Sequence, residues 1–196
     1  MSTKRMRILA DELNELISKI EMGHDQEEEP EASSPIPSLG DWLDTALDAY
    51  NTRRKREKVF GAPQLFGEPT WDILLDLFIA ELKNTRMQTT SVCIGAQVPQ
   101  TTALRWIALL EKENLVTRYR DKSDSRRVYI QMTDLAVRKM LEIFYDQCIY
   151  MMGGKMQRLK KLALGPGTGE RDDAREGILS EAFSQIRALR DRGTRQ

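Results

Sequence analysis

The chain is predicted to be mainly α-helical with one small β-hairpin, an α+β class, on three observations. Apolar residues recur at helical spacing over most of its 196 residues. Two short runs rich in β-branched and aromatic residues, Leu115 to Tyr119 and Val128 to Met132, flank a polar loop. Stretches rich in Gly, Pro, Ser and Glu separate the helical runs.

Taken in order, residues 6–22 place Leu9, Leu13, Leu16, Ile17 and Ile20 on one narrow stripe, an N-terminal amphipathic helix. Residues 23–40 are rich in Glu, Pro and Ser and read as a flexible acidic linker. A helix is expected from about Asp41 to about Val59, with Trp42, Leu43, Ala46, Leu47 and Tyr50 inward and a basic second half (Arg53, Arg54, Lys55, Arg56, Lys58). After a loop over 61–69, Trp71 to Leu82 is apolar on nearly every side, which suits the centre of a core. Thr89 or Thr90 is placed to cap a short helix over Ser91 to Ala96, whose Val92, Cys93 and Ala96 face the next helix.

That next helix, 99–113, opens on Pro99, where a missing N–H costs little. Ala103, Trp106, Ile107 and Leu110 form its buried face, and Thr101, Thr102 and Arg105 point outward. The hairpin follows, with a solvated tip over 120–127 that carries Arg120, Lys122, Arg126 and Arg127. Thr133 and Asp134 open a long helix with Val137, Met140, Leu141, Phe144, Cys148 and Met152 on one face, expected to fray at Gly153 and Gly154. Gly165 to Gly169 is a break, and Ile178, Leu179, Ala182, Phe183, Ile186 and Leu189 form the stripe of a final helix.

Helix, strand, basic tip and strand in this order are how a winged helix-turn-helix meets DNA. At these residues the chain resembles the MarR family of bacterial regulators. The family's helix ending in Leu-Glu, then Gly-Leu-Val, Asp-x-Arg in the wing and Leu-Thr after it, is matched by Leu110-Glu111, Asn114-Leu115-Val116, Asp124-Ser125-Arg126 and Met132-Thr133. The resemblance covers roughly residues 66–150. Asn114 stands where Gly is usual, and Asn is the next-best residue for a left-handed turn. Gln97 stands where the family often has Gly, and a positive φ there would cost about 1 kcal/mol.

The resemblance implies a winged helix-turn-helix with N- and C-terminal helical extensions, divided into 1–22, 23–40, 41–62, a DNA-binding domain over 63–150, and a C-terminal extension over 151–196. It also implies a homodimer built from helices of the two ends of the chain, reading a pseudo-palindrome. By the geometry of the major groove, Gln100 and Arg105 are candidates for bases and Thr101 and Thr102 for phosphates. Arg105 has an alternative partner in Glu111. Carried over residue by residue, Arg126 matches the arginine that enters the minor groove and Asp124 the acid that holds it. Arg120, Lys122 and Arg127 would add phosphate contacts. A plain surface ion pair is the plainer account of Asp124 and Arg126.

Composition bounds the rest. Lys plus Arg number 30 against 30 Asp plus Glu, so the net charge is zero, yet acids gather in 25–31 and bases in 53–58, the wing and 155–161. Such segregation lets a neutral total hide a basic face. No apolar run approaches a membrane span, and residues 1–7 lack a signal peptide's apolar core, so a cytoplasmic protein is expected. Two cysteines suggest no disulfide framework, and Cys93 is expected to be a buried small hydrophobe.

The lone His24 in an acidic linker builds neither a zinc site nor a Ser-His-Asp arrangement, and Gly153-Gly154-Lys155 lacks the rest of a phosphate-binding loop. Neither catalysis, a cofactor nor a metal is expected. The rival function is a winged helix that binds proteins instead of DNA. A small-molecule effector is a further partner implied by the resemblance. Trp42, Tyr50, Phe66, Trp71 and Tyr145 are candidates to line its site, although aromatics at helical spacing usually build core.

Overall fold

A computed structural model describes residues 36–61, 65–152 and 168–193. The described elements are α1 (Leu39–Phe60), α2 (Pro69–Leu82), β1 (Met87–Gln88), α3 (Thr89–Gly95), α4 (Gln100–Lys112), β2 (Val116–Arg120), β3 (Val128–Met132), α5 (Asp134–Met152) and α6 (Thr168–Gly193). All lie in one unit over 35–196. The predicted N-terminal helix, most of the acidic linker, the Gly153-Gly154 fray point and the basic residues of 155–161 lie outside the described residues.

Because α2 is apolar around its circumference, it takes the centre: Ile73, Leu75, Leu77 and Phe78 are all but fully buried. Its Phe78 ring stacks on Phe144 of α5 at 5.8 Å. Ile107 of α4, Val137, Met140 and Leu141 of α5 and Ile186 of α6 complete the same core. Each such side chain contributes about 1.5 to 3 kcal/mol by leaving water. Of the aromatic residues considered above for an effector site, Trp42 and Tyr145 are buried in this core, and Tyr50 and Trp71 pack partly buried against it.

The start of α1 is set by a capping box. Ser38 Oγ accepts from the Asp41 N–H, and Asp41 Oδ2 accepts from the Ser38 N–H at 2.9 Å. The helix therefore begins at Leu39, two residues before the expected Asp41, and it ends at Gly61 in the left-handed region (φ 63°).

Its basic half departs from the expected free face. Arg53 turns inward and holds Asp72 of α2 through Nε at 2.9 Å, with Glu68 3.2 Å from its Nη1. Arg54 donates to the Gly95 carbonyl at 2.9 Å, and the Arg56 guanidinium lies 4.9 Å over the Phe66 ring. These arginines bind α1 to α2 and α3, leaving Lys55 and Lys58 exposed. The α2–α3 contact is close enough that a Cβ at Gly95 would stand 1.8 Å from Asp76 Oδ2.

The sheet is antiparallel in the order β1-β3-β2, with Met87 opposite Ile130 and Tyr119 opposite Tyr129. The two-stranded hairpin was expected; β1, two residues long, is too short to leave an alternating pattern. At the other end of the chain α6 begins at Thr168, inside the predicted break, and packs Ala182, Phe183 and Ile186 into the chain's own core.

Candidate nucleic-acid interface

Three short segments build the helix pair. The expected threonine cap of α3 is not formed: Gln88 holds the cap position in extended backbone without a side-chain bond. Thr89 belongs to the helix, and its hydroxyl donates to the Val128 carbonyl at 3.0 Å, which ties α3 to β3. The turn to α4 places Gln97 at φ 50°, the left-handed position expected for it. Pro99 then caps α4, its carbonyl accepting from the N–H groups of Thr102 (2.8 Å) and Ala103 (3.0 Å).

Ala103, Ile107 and Leu110 are buried as predicted, while Trp106 is only half-buried. Gln100, Thr101 and Arg105 are exposed on the outer face and Thr102 is half-buried. Arg105 makes no hydrogen bond or ion pair among the described residues. Its alternative partner, Glu111, is taken by Arg118 of β2, whose Nε donates to Glu111 Oε2 at 2.9 Å and whose Nη2 donates to the same oxygen. That bond holds the Glu111 carboxyl below its ordinary range. Beyond α4, Asn114 adopts the left-handed turn (φ 56°), and its carbonyl accepts from the Thr133 hydroxyl at 2.7 Å.

The wing is organised by a residue that sequence reasoning passed over. Asp121 Oδ1 accepts from the N–H of Ser123 at 2.8 Å, from the N–H of Asp124 at 3.1 Å and from the Ser123 hydroxyl. Its Oδ2 lies 3.4 Å from Arg86 Nη1. These donors, Ser123 foremost, hold the Asp121 carboxyl down at about 2. Arg86 also lies 4.8 Å over the Tyr129 ring, which stacks on Tyr119 at 5.6 Å, so cation and two rings cross the sheet beneath the tip. The pattern Asp121-Lys122-Ser123 was a legible signal, since an Asp side chain commonly accepts from the N–H two residues on. Arg86 left none, being 35 residues away.

Asp124 does not clasp the Arg126 side chain. It accepts from the Arg126 backbone N–H at 3.1 Å and pairs instead with Arg127 Nε at 3.3 Å. The Arg126, Lys122 and Arg120 side chains are exposed and have no partner among the described residues; Arg120 closes β2 rather than standing in the loop.

At the wing root, Glu81 of α2 accepts from the Met132 N–H at 3.2 Å and pairs with Arg190 of α6 at 3.1 Å. Arg190 also holds Asp134 at 2.8 Å and the Met132 carbonyl at 3.2 Å. Burial pushes the Glu81 carboxyl up despite Arg190. Cys93 and Cys148 are buried, and burial pushes both thiols up, Cys148 to about 11, which leaves little thiolate. Among the described residues no cluster of His, Cys, Asp and Glu is arranged to hold a metal.

No protein-family model and no curated protein sequence matches the chain. Among solved structures, it is similar to the S. aureus MepR–DNA complex at 16% identity and a TM-score of 0.36, over 71% of this chain and 97% of that one. It is likewise similar to the heme sensor protein PefR from Streptococcus agalactiae in complex with heme (14% identity, TM-score 0.36, 92% of each chain). A third is the transcriptional regulator PA4135 (22% identity, TM-score 0.32, 74% of this chain and 95% of that one). Likeness at these values transfers no residue roles.

Proposed function

We propose that the chain is a sequence-specific double-stranded DNA-binding transcriptional regulator acting in the cytoplasm as a homodimer, with α4 in the major groove and the wing in the minor groove. The observation that carries this reading is Arg105, exposed on the outer face of α4 and without a partner among the described residues, while Glu111 is engaged by Arg118. A guanidinium with no partner among the described residues suits bidentate pairing with guanine, worth about 1 to 3 kcal/mol of discrimination. Gln100 pairs with adenine, and Thr101 and Thr102 hold phosphates at the start of the helix. Arg126 enters the minor groove, while Arg120, Lys122 and Arg127 neutralise phosphates.

For the homodimer the support is an uncovered stripe on α5, where Ile143 (57% exposed), Tyr150 (77%) and Met151 (43%) share one side. Two copies would set their recognition helices about 34 to 36 Å apart, one turn of duplex. Among the described residues no helix is long and apolar enough to cross a membrane.

Fluorescence-anisotropy titration against genomic duplex fragments over a salt series tests the reading. Arg126→Ala should weaken binding and reduce the log–log salt slope by about one ion, since each neutralised phosphate contributes about 0.9. Unchanged affinity and slope would remove Arg126 from the groove. The rival, a protein-interaction module, is favoured by exposed Val59, Phe60 and Leu65 near the end of α1. It would gain from a chain that binds no duplex at any salt.

A further inference from the structure

The face of α4 that looks away from the core is not polar along its length. At about 100° per residue, Thr101, Ala108, Leu109 and Lys112 all lie within about 60° of Arg105, opposite the buried Ala103, Ile107 and Leu110. Between the cations Arg105 and Lys112, this face carries only Ala108, which is exposed, and Leu109, 42% exposed. A solvated helix face is ordinarily charged or polar throughout. An apolar step held between two cations suits a partner that is anionic overall and apolar at one point.

Neither cation is engaged within the chain. Arg105 and Lys112 have no partner among the described residues, and Glu111 is held by Arg118. An apolar protein surface laid on this face would bury both cations unpaired, which is costly. A duplex does not: phosphates line the walls of its major groove, and the C5 methyl of thymine, or of 5-methylcytosine, is the apolar group on its floor.

We propose that Leu109 reads the C5 methyl of a pyrimidine in the major groove and is a specificity-determining residue; the inference rests on the DNA-binding reading above. Leu109 stands four residues beyond Arg105, about 6 Å along the helix axis. With base pairs about 3.4 Å apart, the methyl lies within about two base pairs of the guanine that Arg105 pairs with. Ala108 beside it is too small to hold the helix off the base edges, and Lys112 reaches a phosphate of the groove wall. Uracil and cytosine form the same base pairs without the methyl, so the discrimination is the burial of one methyl group, a factor of about four in Kd.

Replacing thymine by deoxyuridine removes that methyl and nothing else, and replacing cytosine by 5-methyldeoxycytidine adds it. The tightest-binding genomic duplex is resynthesised with one such replacement at a time and titrated with the full chain by fluorescence anisotropy. Where thymine is the source of the methyl, deoxyuridine at one position should weaken binding about fourfold; where 5-methylcytosine is the source, methylation of one cytosine should strengthen it about fourfold. That position should fall within about two base pairs of the guanine whose preference Arg105→Ala relaxes. In Leu109→Ala, with the circular-dichroism spectrum of the parent, the same replacement should no longer change Kd. If the parent is indifferent to every replacement, or if Leu109→Ala abolishes the methyl preference at no position, the proposal is overturned while duplex binding stands. A parent chain that binds no fragment at any salt sinks the DNA-binding reading, and this inference with it.

Discussion

The helix α4 and the wing both carry exposed arginines, yet they are held by different forces. Burial fixes α4: Ala103, Ile107 and Leu110 sit in the core, so the position of Arg105 follows from the packing of its own helix. The wing tip has no apolar core beneath it. Its loop is shaped by one carboxylate, Asp121, that gathers backbone and hydroxyl donors, and by the row of Arg86, Tyr129 and Tyr119 at its base. A packed element fails by unfolding and a hydrogen-bonded one by losing its orientation, so the two regions should respond to mutation in different observables.

The largest effect belongs to the packed side. Ile107 is fully buried in the central cluster, and Ile107→Ala removes its methyl groups and leaves a cavity. A loss of about 2 to 5 kcal/mol is expected, read from the midpoint of urea unfolding at unchanged m-value. A loss below about 1 kcal/mol would mean that α4 is not held by burial, and the contrast would collapse.

On the wing the expectation reverses. Asp121→Ala leaves the core alone and removes the acceptor of the Ser123 and Asp124 N–H groups. Global stability should fall by clearly less than for Ile107→Ala, because the loop that Asp121 orders places no side chain in the core. Duplex affinity should fall about tenfold, because Arg126 then binds from a disordered loop. The same carboxylate gives a titration. Its pKa in the fold, about 2, lies below the ordinary 3.8, so the order it imparts is complete above the ordinary value and lost as pH falls through about 2. Amide NMR shifts of Ser123 and Asp124 should follow that midpoint. A midpoint near 3.8 would show that Asp121 does not organise the loop.

The same division governs how much was legible in the sequence. Helical periodicity found α2, α4 and α5 and their buried faces because a core imposes a repeat on the residues that enter it. The hairpin was legible through its β-branched and aromatic alternation. What escaped was polar and distant in sequence. Arg53 in a basic run gave no sign of turning inward to Asp72, nor Arg86 of reaching Asp121, nor Arg190 of meeting Glu81 at the wing root. Such pairs join residues whose spacing carries no period. Of the residues expected outward on α4, Thr101 and Arg105 are exposed and Thr102 is half-buried; the resemblance put the Asp124 carboxylate on the side chain of Arg126, whereas it accepts from the Arg126 backbone N–H and pairs with Arg127, because one acid in a tight loop can meet several donors.

The smallest effect lies at the two turns that bound α4. Gln97 (φ 50°) and Asn114 (φ 56°) both occupy the left-handed region, where a Cβ is crowded by the following carbonyl. Asn tolerates it far better than Gln, since its short side chain bonds locally. Gln97→Gly relieves about 1 kcal/mol of strain and returns roughly half or more of that by loosening the unfolded chain. A net gain of a few tenths of a kcal/mol is expected, a rise in Tm of about 1 °C at roughly 2 to 4 °C per kcal/mol for a chain this size. Asn114→Gly should gain nothing measurable. Scanning calorimetry of the two variants side by side decides it. If Gln97→Gly lowers Tm by several degrees, the Gln97 side chain stabilises the turn by a contact of its own, and the strain that separates the two turns is not what sets their residues.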